Sequence, residues 1–222
     1  MRFVFVHGSC HGAWCWRDVL PFFNNAQLID LPKDPSAATL ESYAATITNQ
    51  LEEPSVLVGH SAGGYAITAA AEAAPDRVSG LIYICAYVPQ PGQSLAQMRR
   101  AGPSQPLADA IRVSPDRASF SFDPALIADR FYHDCPPETL AYAAPRLRPE
   151  PIRPQETPMD PRHTTGLPRA YVHCAHDRAI PPAYQLEMAR GLPLISLASG
   201  HSPFFSMPER LADALQGLAQ SF

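Results

Sequence analysis

The stretch Ser55-Val56-Leu57-Val58-Gly59-His60-Ser61-Ala62-Gly63-Gly64 governs the reading of the whole chain. A short apolar run ends in a Gly-x-Ser-x-Gly pattern, and a helical run follows through Ile67 and several alanines to Pro75. The spacing predicts a strand, a sharp turn and a helix, with Ser61 at the apex. Such a turn closes only when the residues two positions either side are small, and Gly59 and Gly63 stand there. It presents the Ser61 hydroxyl, and the helix N-terminus behind it offers backbone N–H groups to an anion.

Outward from this turn, other short apolar runs alternate with helical patterns. They are Phe3–Val6, Gln27–Asp30, Val56–Val58, Gly80–Cys85, Ala170–Cys174 and Leu194–Leu197. Most are apolar on both faces, as in the strands of a covered parallel sheet. One intervening helix places Leu40, Tyr43, Ala44, Ile47 and Leu51 on one face, and the last places Leu211, Leu215 and Leu218 together. Ser206-Met207-Pro208-Glu209 is expected to open that last helix as a capping box. The alternation predicts an α/β fold: a mostly parallel sheet of about six strands with helices on both faces.

Residues 89–168 break the rhythm. Nine prolines fall between Pro136 and Pro168, and proline neither donates to a sheet ladder nor tolerates a helix interior. This segment is expected to be a small, partly helical cap inserted into a core of residues 1–88 and 169–222, with short helices near Pro124–Tyr132 and Pro137–Ala144. A structureless loop of that length is improbable in a compact domain.

The totals narrow the function class. The chain has 222 residues, 46% of them apolar, and a net charge of −4. That balance offers nothing to nucleic acid. No apolar run approaches the roughly 18 residues of a membrane span, and the N-terminus turns polar too soon for a signal peptide. Five scattered cysteines, an odd number, fit a reducing cytoplasm better than a disulfide framework. The oligomeric state stays open, a homodimer among the options.

A serine hydroxyl is a weak nucleophile and needs a base, which in turn needs an acid to hold its tautomer. His201, in Ala198-Ser199-Gly200-His201, follows the strand at 194–197. Asp177, in Cys174-Ala175-His176-Asp177, follows the strand at 170–174. Both positions lie at the carboxyl ends of strands, where ligands bind in such sheets. The rival location for the acid, Ala86-Tyr87-Val88-Pro89-Gln90, contains no carboxylate. An oxyanion hole needs two donors: the N–H of Ala62 after the serine, and the N–H of Ser9 in His7-Gly8-Ser9-Cys10-His11-Gly12. The same loop gathers His7, Cys10, His11 and Cys15, but the spacing matches no zinc pattern, so no metal and no cofactor are expected.

Three blocks carry a resemblance: Phe3-Val4-Phe5-Val6-His7-Gly8-Ser9-Cys10-His11-Gly12-Ala13-Trp14, the turn block Val58–Gly64 running on to Arg77–Pro89, and Tyr132-His133-Asp134-Cys135-Pro136-Pro137-Glu138 ahead of Arg148-Pro149. Together they resemble the α/β-hydrolase branch of plant methylesterases of the salicylate-binding type and hydroxynitrile lyases, with bacterial esterase relatives. The order Ser61, Asp177, His201 is that of α/β-hydrolases. The similarity spans nearly the whole chain, which is shorter than the plant relatives after residue 30 and within the cap. It implies a serine hydrolase acting on a small carboxylic ester or lactone. Lyases of the branch carry threonine at the Gly8 position and lysine directly after the histidine; here those positions are Gly8 and Ser202, and the only lysine, Lys33, is remote in sequence. An esterase is therefore expected, with a lyase or a ligand-binding receptor as alternatives.

Overall fold

Strand β1, Arg2–Val6, is buried along its whole length, and so is β3, Ser55–His60. A strand without a solvent face must be covered on both sides, and the computed structural model, which describes Met1–Phe222, shows how. In chain order the elements are β1, β2 (Ala26–Ile29), α1 (Leu40–Thr48), β3, α2 (Gly63–Ala73) and β4 (Val78–Ile84). Then follow α3 (Leu95–Ala101), β5 (Ile111–Val113), β6 (Ser119–Phe122), α4 (Ile127–Phe131), α5 (Glu138–Ala143), β7 (Glu150–Pro151) and α6 (Arg153–Glu156). The chain closes with β8 (Arg169–Cys174), α7 (Pro182–Met188), β9 (Leu194–Leu197), α8 (Pro203–Ser206) and α9 (Pro208–Ala219).

Six strands pair in the order β2-β1-β3-β4-β8-β9, and every pairing is parallel. The two-residue period of a strand sorts its side chains between two cores. Val4, Val6, Leu57, Leu81 and Tyr171 pack toward α1 and α2. Phe3, Phe5, Val56, Val58, Ile82 and Val172 pack toward α9. This is the parallel six-stranded sheet with helices on both faces expected from the alternation of runs.

Between β4 and β8 the expected short helices form as α4 and α5. The segment also contains an antiparallel sheet, β5-β6-β7, that the sequence reading did not foresee. Its last strand is only Glu150–Pro151, too short for any periodicity. Glu72 of α2 accepts the N–H groups of Arg162, His163 and Thr164 and pins the far end of the segment to the core. The capping box expected at Ser206 does not form. Pro203 starts a separate turn of helix, α8, whose last residue is Ser206, and the Ser206 hydroxyl pairs with Ser199 at 2.9 Å; Met207 precedes α9 instead. No helix is long and apolar enough to cross a membrane.

Candidate active site

Ser61 sits between β3 and α2 with φ of +54°. A left-handed serine costs about 1–3 kcal/mol and persists only when its surroundings over-determine it. Here its N–H donates to Ile84 O at 3.1 Å, and its carbonyl accepts from Gly64 and Tyr87 N–H, each at 3.2 Å. The two small neighbours are needed as read. A Cβ on Gly59 would lie 2.8 Å from Gly63 O, and one on Gly63 would lie 2.8 Å from both Val6 O and His7 O. Helix α2 can therefore approach β1 closely enough to aim its N-terminus at the serine.

His201 and Asp177 come together from the ends of β9 and β8. Nδ1–H of His201 donates to Asp177 Oδ2 at 2.8 Å, which leaves Nε2 as the unprotonated nitrogen. The carboxylate is saturated: Oδ1 accepts from Ala179 N at 2.6 Å and Ile180 N at 3.0 Å, and Oδ2 also accepts from Gln185 Nε2 at 2.8 Å. Gln185 is fully buried and is itself oriented by Cys174 N–H. On the far side, Gly200 N–H donates to Asp134 of the inserted segment. His60 Nε2–H donates to the His201 carbonyl at 2.8 Å, and the Cys85 thiol points at the same oxygen. His60, Cys85 and His201 thus place potential ligand atoms within 4.8 Å of one another, but those protons are directed at a carbonyl.

The loop after β1 supplies the second predicted oxyanion donor. Neither the N–H of Ser9 nor that of Ala62 donates to a protein acceptor. Every histidine nitrogen of the loop is engaged. His7 Nε2 accepts from Leu31 N–H and its Nδ1–H donates to Gly8 O. His11 Nδ1–H donates to Ser9 O, and its Nε2 accepts from the Tyr132 hydroxyl at 2.7 Å. Burial holds His11 neutral, down to about 4, and pushes His7 and His60 well below the usual histidine range. Next to Ser9, Cys10 adopts φ of +63°. Its N–H donates to Glu150 Oε2 at 2.8 Å, and its carbonyl accepts from Arg148 N–H at 2.9 Å. Glu150 is 2% exposed and also holds Lys33 and the Tyr43 hydroxyl. The only lysine is therefore a buttress beneath this loop.

Ser9, Ser61, Ala62 and His201 line one cavity of about 20 Å³, roofed by Phe120, Phe122 and Phe131. Neither Ser61 Oγ nor His201 Nε2 is engaged by another protein group. The arrangement has a hydroxyl, an open imidazole nitrogen and two free N–H donors on one small, largely apolar space. Asp177 stands behind it, paired to His201. The sequence-predicted residues are thus gathered at one place. Sequence reasoning missed Gln185, which lies only eight positions from Asp177, and Asp134 and Glu150, whose partners lie far away along the chain; the solitary Lys33 was the one visible signal.

The sequence pattern of the alpha/beta hydrolase family matches residues 3–214. Methylesterase 18 of Arabidopsis thaliana is 30% identical over 99% of this chain and 97% of its own length. Methyl jasmonate esterase 1 of Vitis vinifera is 29% identical over 100% of this chain and 97% of its own. Among solved structures, the pyrethroid hydrolase of Sphingobium faniae JZ-2 superposes with a TM-score of 0.87 at 26% identity, covering 100% of this chain and 98% of that one. A methylesterase from Arabidopsis superposes at 0.84 and 25% identity, with both chains covered completely. With that match and this architecture, the chain belongs to the alpha/beta hydrolase family, in the branch that holds the plant methylesterases.

Proposed function

We propose that this protein is a carboxylic ester hydrolase that works through Ser61, His201 and Asp177. The observation that carries the reading is the set of uncommitted groups on one cavity wall: the Ser61 hydroxyl, His201 Nε2, and the N–H groups of Ser9 and Ala62. His201 takes the Ser61 proton as the oxygen attacks the ester carbonyl. The Ser9 and Ala62 N–H groups hold the oxyanion, each such donor contributing about 3–4 kcal/mol in the transition state. His201 then returns the proton to the departing alcohol. Water hydrolyses the acyl-enzyme by the same route, and Asp177 keeps the imidazole in the required tautomer throughout. No metal or cofactor takes part. Residues 89–168 act as the cap over this cavity, and small esters or lactones are the substrates. Relatives named methyl jasmonate esterase and methylesterase support the ester class.

Two features weigh against cyanohydrin cleavage. A side chain at position 8 would place its Cβ 2.9 Å from both Ser61 Cβ and His60 Nδ1, so this site is built for glycine rather than threonine. Ser202 follows His201, and Lys33 is spent on Glu150, so no lysine waits for cyanide beside the histidine. The deciding experiment is steady-state hydrolysis of a short-chain p-nitrophenyl ester by wild type and Ser61→Ala. Many turnovers lost in the variant are expected. Equal rates would overturn the reading, and mandelonitrile cleavage dependent on Ser61 would replace it with the lyase.

A further inference from the structure

Arg99 is the only arginine on the wall of the reaction cavity, and no aspartate or glutamate shares that wall. Helix α3 holds it there. A Ser94–Gln97 capping box starts the helix, and Leu95, Ala96 and Met98 are buried beside it. A second cavity, of about 330 Å³, adjoins the first; Tyr87, Arg99 and Leu107 line both. Arg100 lines this outer cavity too, and again no carboxylate does. The Arg99 guanidinium makes no hydrogen bond or ion pair. The titratable groups that face it are the neutral Tyr87 phenol, Arg100 and the exposed Glu156 of α6, and burial lowers its pKa. The Tyr87 hydroxyl next to it is likewise free of any protein acceptor, and burial raises its pKa.

A guanidinium remains protonated in any protein setting, so withdrawing it from water without a partner is unfavourable. Its planar fork fits a carboxylate through two parallel charge-assisted bonds. A cation of this kind, at the junction of a reaction cavity and its antechamber, complements an anion that arrives with the substrate.

We propose that Arg99, with the Tyr87 hydroxyl, binds a free carboxylate remote from the scissile bond. The substrate would then be an ester or lactone carrying a second, ionised acid group, such as a half-ester of a dicarboxylic acid. This rests on the ester-hydrolase reading and deepens it. The covalent step is unchanged: the acyl C–O bond breaks, water supplies the new oxygen, the alcohol leaves with a proton, and the remote carboxylate takes no part. Arg99 acts by binding, which places its effect mainly in KM.

The test compares monomethyl glutarate with methyl valerate, which match in chain length and differ in charge. The measure is the ratio of their kcat/KM values, in which the fraction of active protein cancels. Wild type is expected to favour the half-ester by about ten-fold or more, and Arg99→Gln to lower that ratio by about 10- to 100-fold, the usual weight of a charge-assisted pair. Arg99→Lys should restore part of it. A wild-type ratio at or below one would overturn the proposal. So would an Arg99→Gln variant that weakens both substrates alike, since the arginine would then serve only as packing. Should neither ester turn over, the hydrolase reading fails separately, and titration of glutarate into wild type and Arg99→Gln decides the anion site. Binding lost with Arg99 sustains it; equal or absent binding refutes it.

Discussion

Replacing Glu150 with leucine tests how the inserted segment and the oxyanion loop depend on each other. The carboxylate is 2% exposed and receives the Cys10 N–H, the Lys33 ammonium and the Tyr43 hydroxyl. Breaking a buried ion pair from one side costs about 3–5 kcal/mol, because the remaining charge is stranded. Lys33 keeps 24% of its side chain exposed and can recover some hydration, so the lower end, about 3 kcal/mol, applies. For a chain of this length that is a fall in Tm of about 6–12 °C. Activity should fall as well. Cys10 holds φ of +63° with its N–H fixed by Glu150, and a relaxed loop withdraws the neighbouring Ser9 N–H. The ceiling on that loss is one oxyanion donor, about 10²–10³ in kcat. Adding Lys33→Met removes the stranded charge, so the double variant should regain at least half of the lost Tm and little of the lost kcat. Thermal melts and p-nitrophenyl ester kinetics on wild type and the two variants decide it. A Tm within 2 °C of wild type for Glu150→Leu would refute the ion-pair argument, and recovery of kcat together with Tm in the double variant would refute the coupling to Ser9.

Asp177→Asn should lower kcat by about 10⁴ with little unfolding; both carboxylate oxygens already receive two donors each, so an amide NH₂ finds no acceptor and forces His201 into the wrong tautomer. A circular dichroism melt close to wild type is the control. Ser61→Gly should abolish turnover yet raise Tm by a few degrees, because glycine relieves a left-handed serine worth about 1 kcal/mol or more; a lower Tm would show that the turn is not strained. Acid should destabilise the fold early. His7, His11 and His60 are held neutral by burial, His11 down to about 4, so the unfolded chain binds more protons than the folded one below its ordinary histidine pKa of about 6.5. Their stabilisation is complete above that pH and is lost as pH falls toward 4, at about 1.4 kcal/mol per proton per pH unit, so urea midpoints should drop steeply from pH 6.5 downward; a flat profile to pH 5 would contradict it. In hydrogen exchange, the amides of residues 102–108 should exchange well ahead of those of Cys10 and Arg148, because their backbone bonds are local turns while the latter two join distant segments.

The parts of this site that were legible in the sequence are those specified within a few residues. Gly59, Ser61 and Gly63 form a turn whose steric need is local, and His201 and Asp177 end strands whose apolar runs are unmistakable. Their pairing followed from where strands of a parallel sheet end. The supports from the segment between β4 and β8 were hidden because each joins distant positions: Glu150 meets Lys33 across 117 positions and Cys10 across 140, and Asp134 meets Gly200 across 66. Burying a carboxylate at a two-residue strand between prolines leaves no periodic mark. Helix α3 did leave one, the Ser94-x-x-Gln97 box, and following it would have brought Arg99 into view.

These supports bear on how a substrate enters. Four contacts tie residues 132–150 to the loops that carry the chemistry: Tyr132 to His11, Asp134 to Gly200, Arg148 to Cys10 O, and Glu150 to Cys10 N. All four engage buried groups, and two are charge-assisted, so lifting this part as a lid would cost several kcal/mol and would also disassemble the oxyanion loop and the histidine loop. The wall formed by residues 102–108 has no such ties, and Leu107 within it separates the reaction cavity from the outer one. Opening there leaves Ser9, Ser61 and His201 in place. The path that costs least therefore leads through the outer cavity, where the unpaired guanidinium of Arg99 stands at the junction with the reaction cavity.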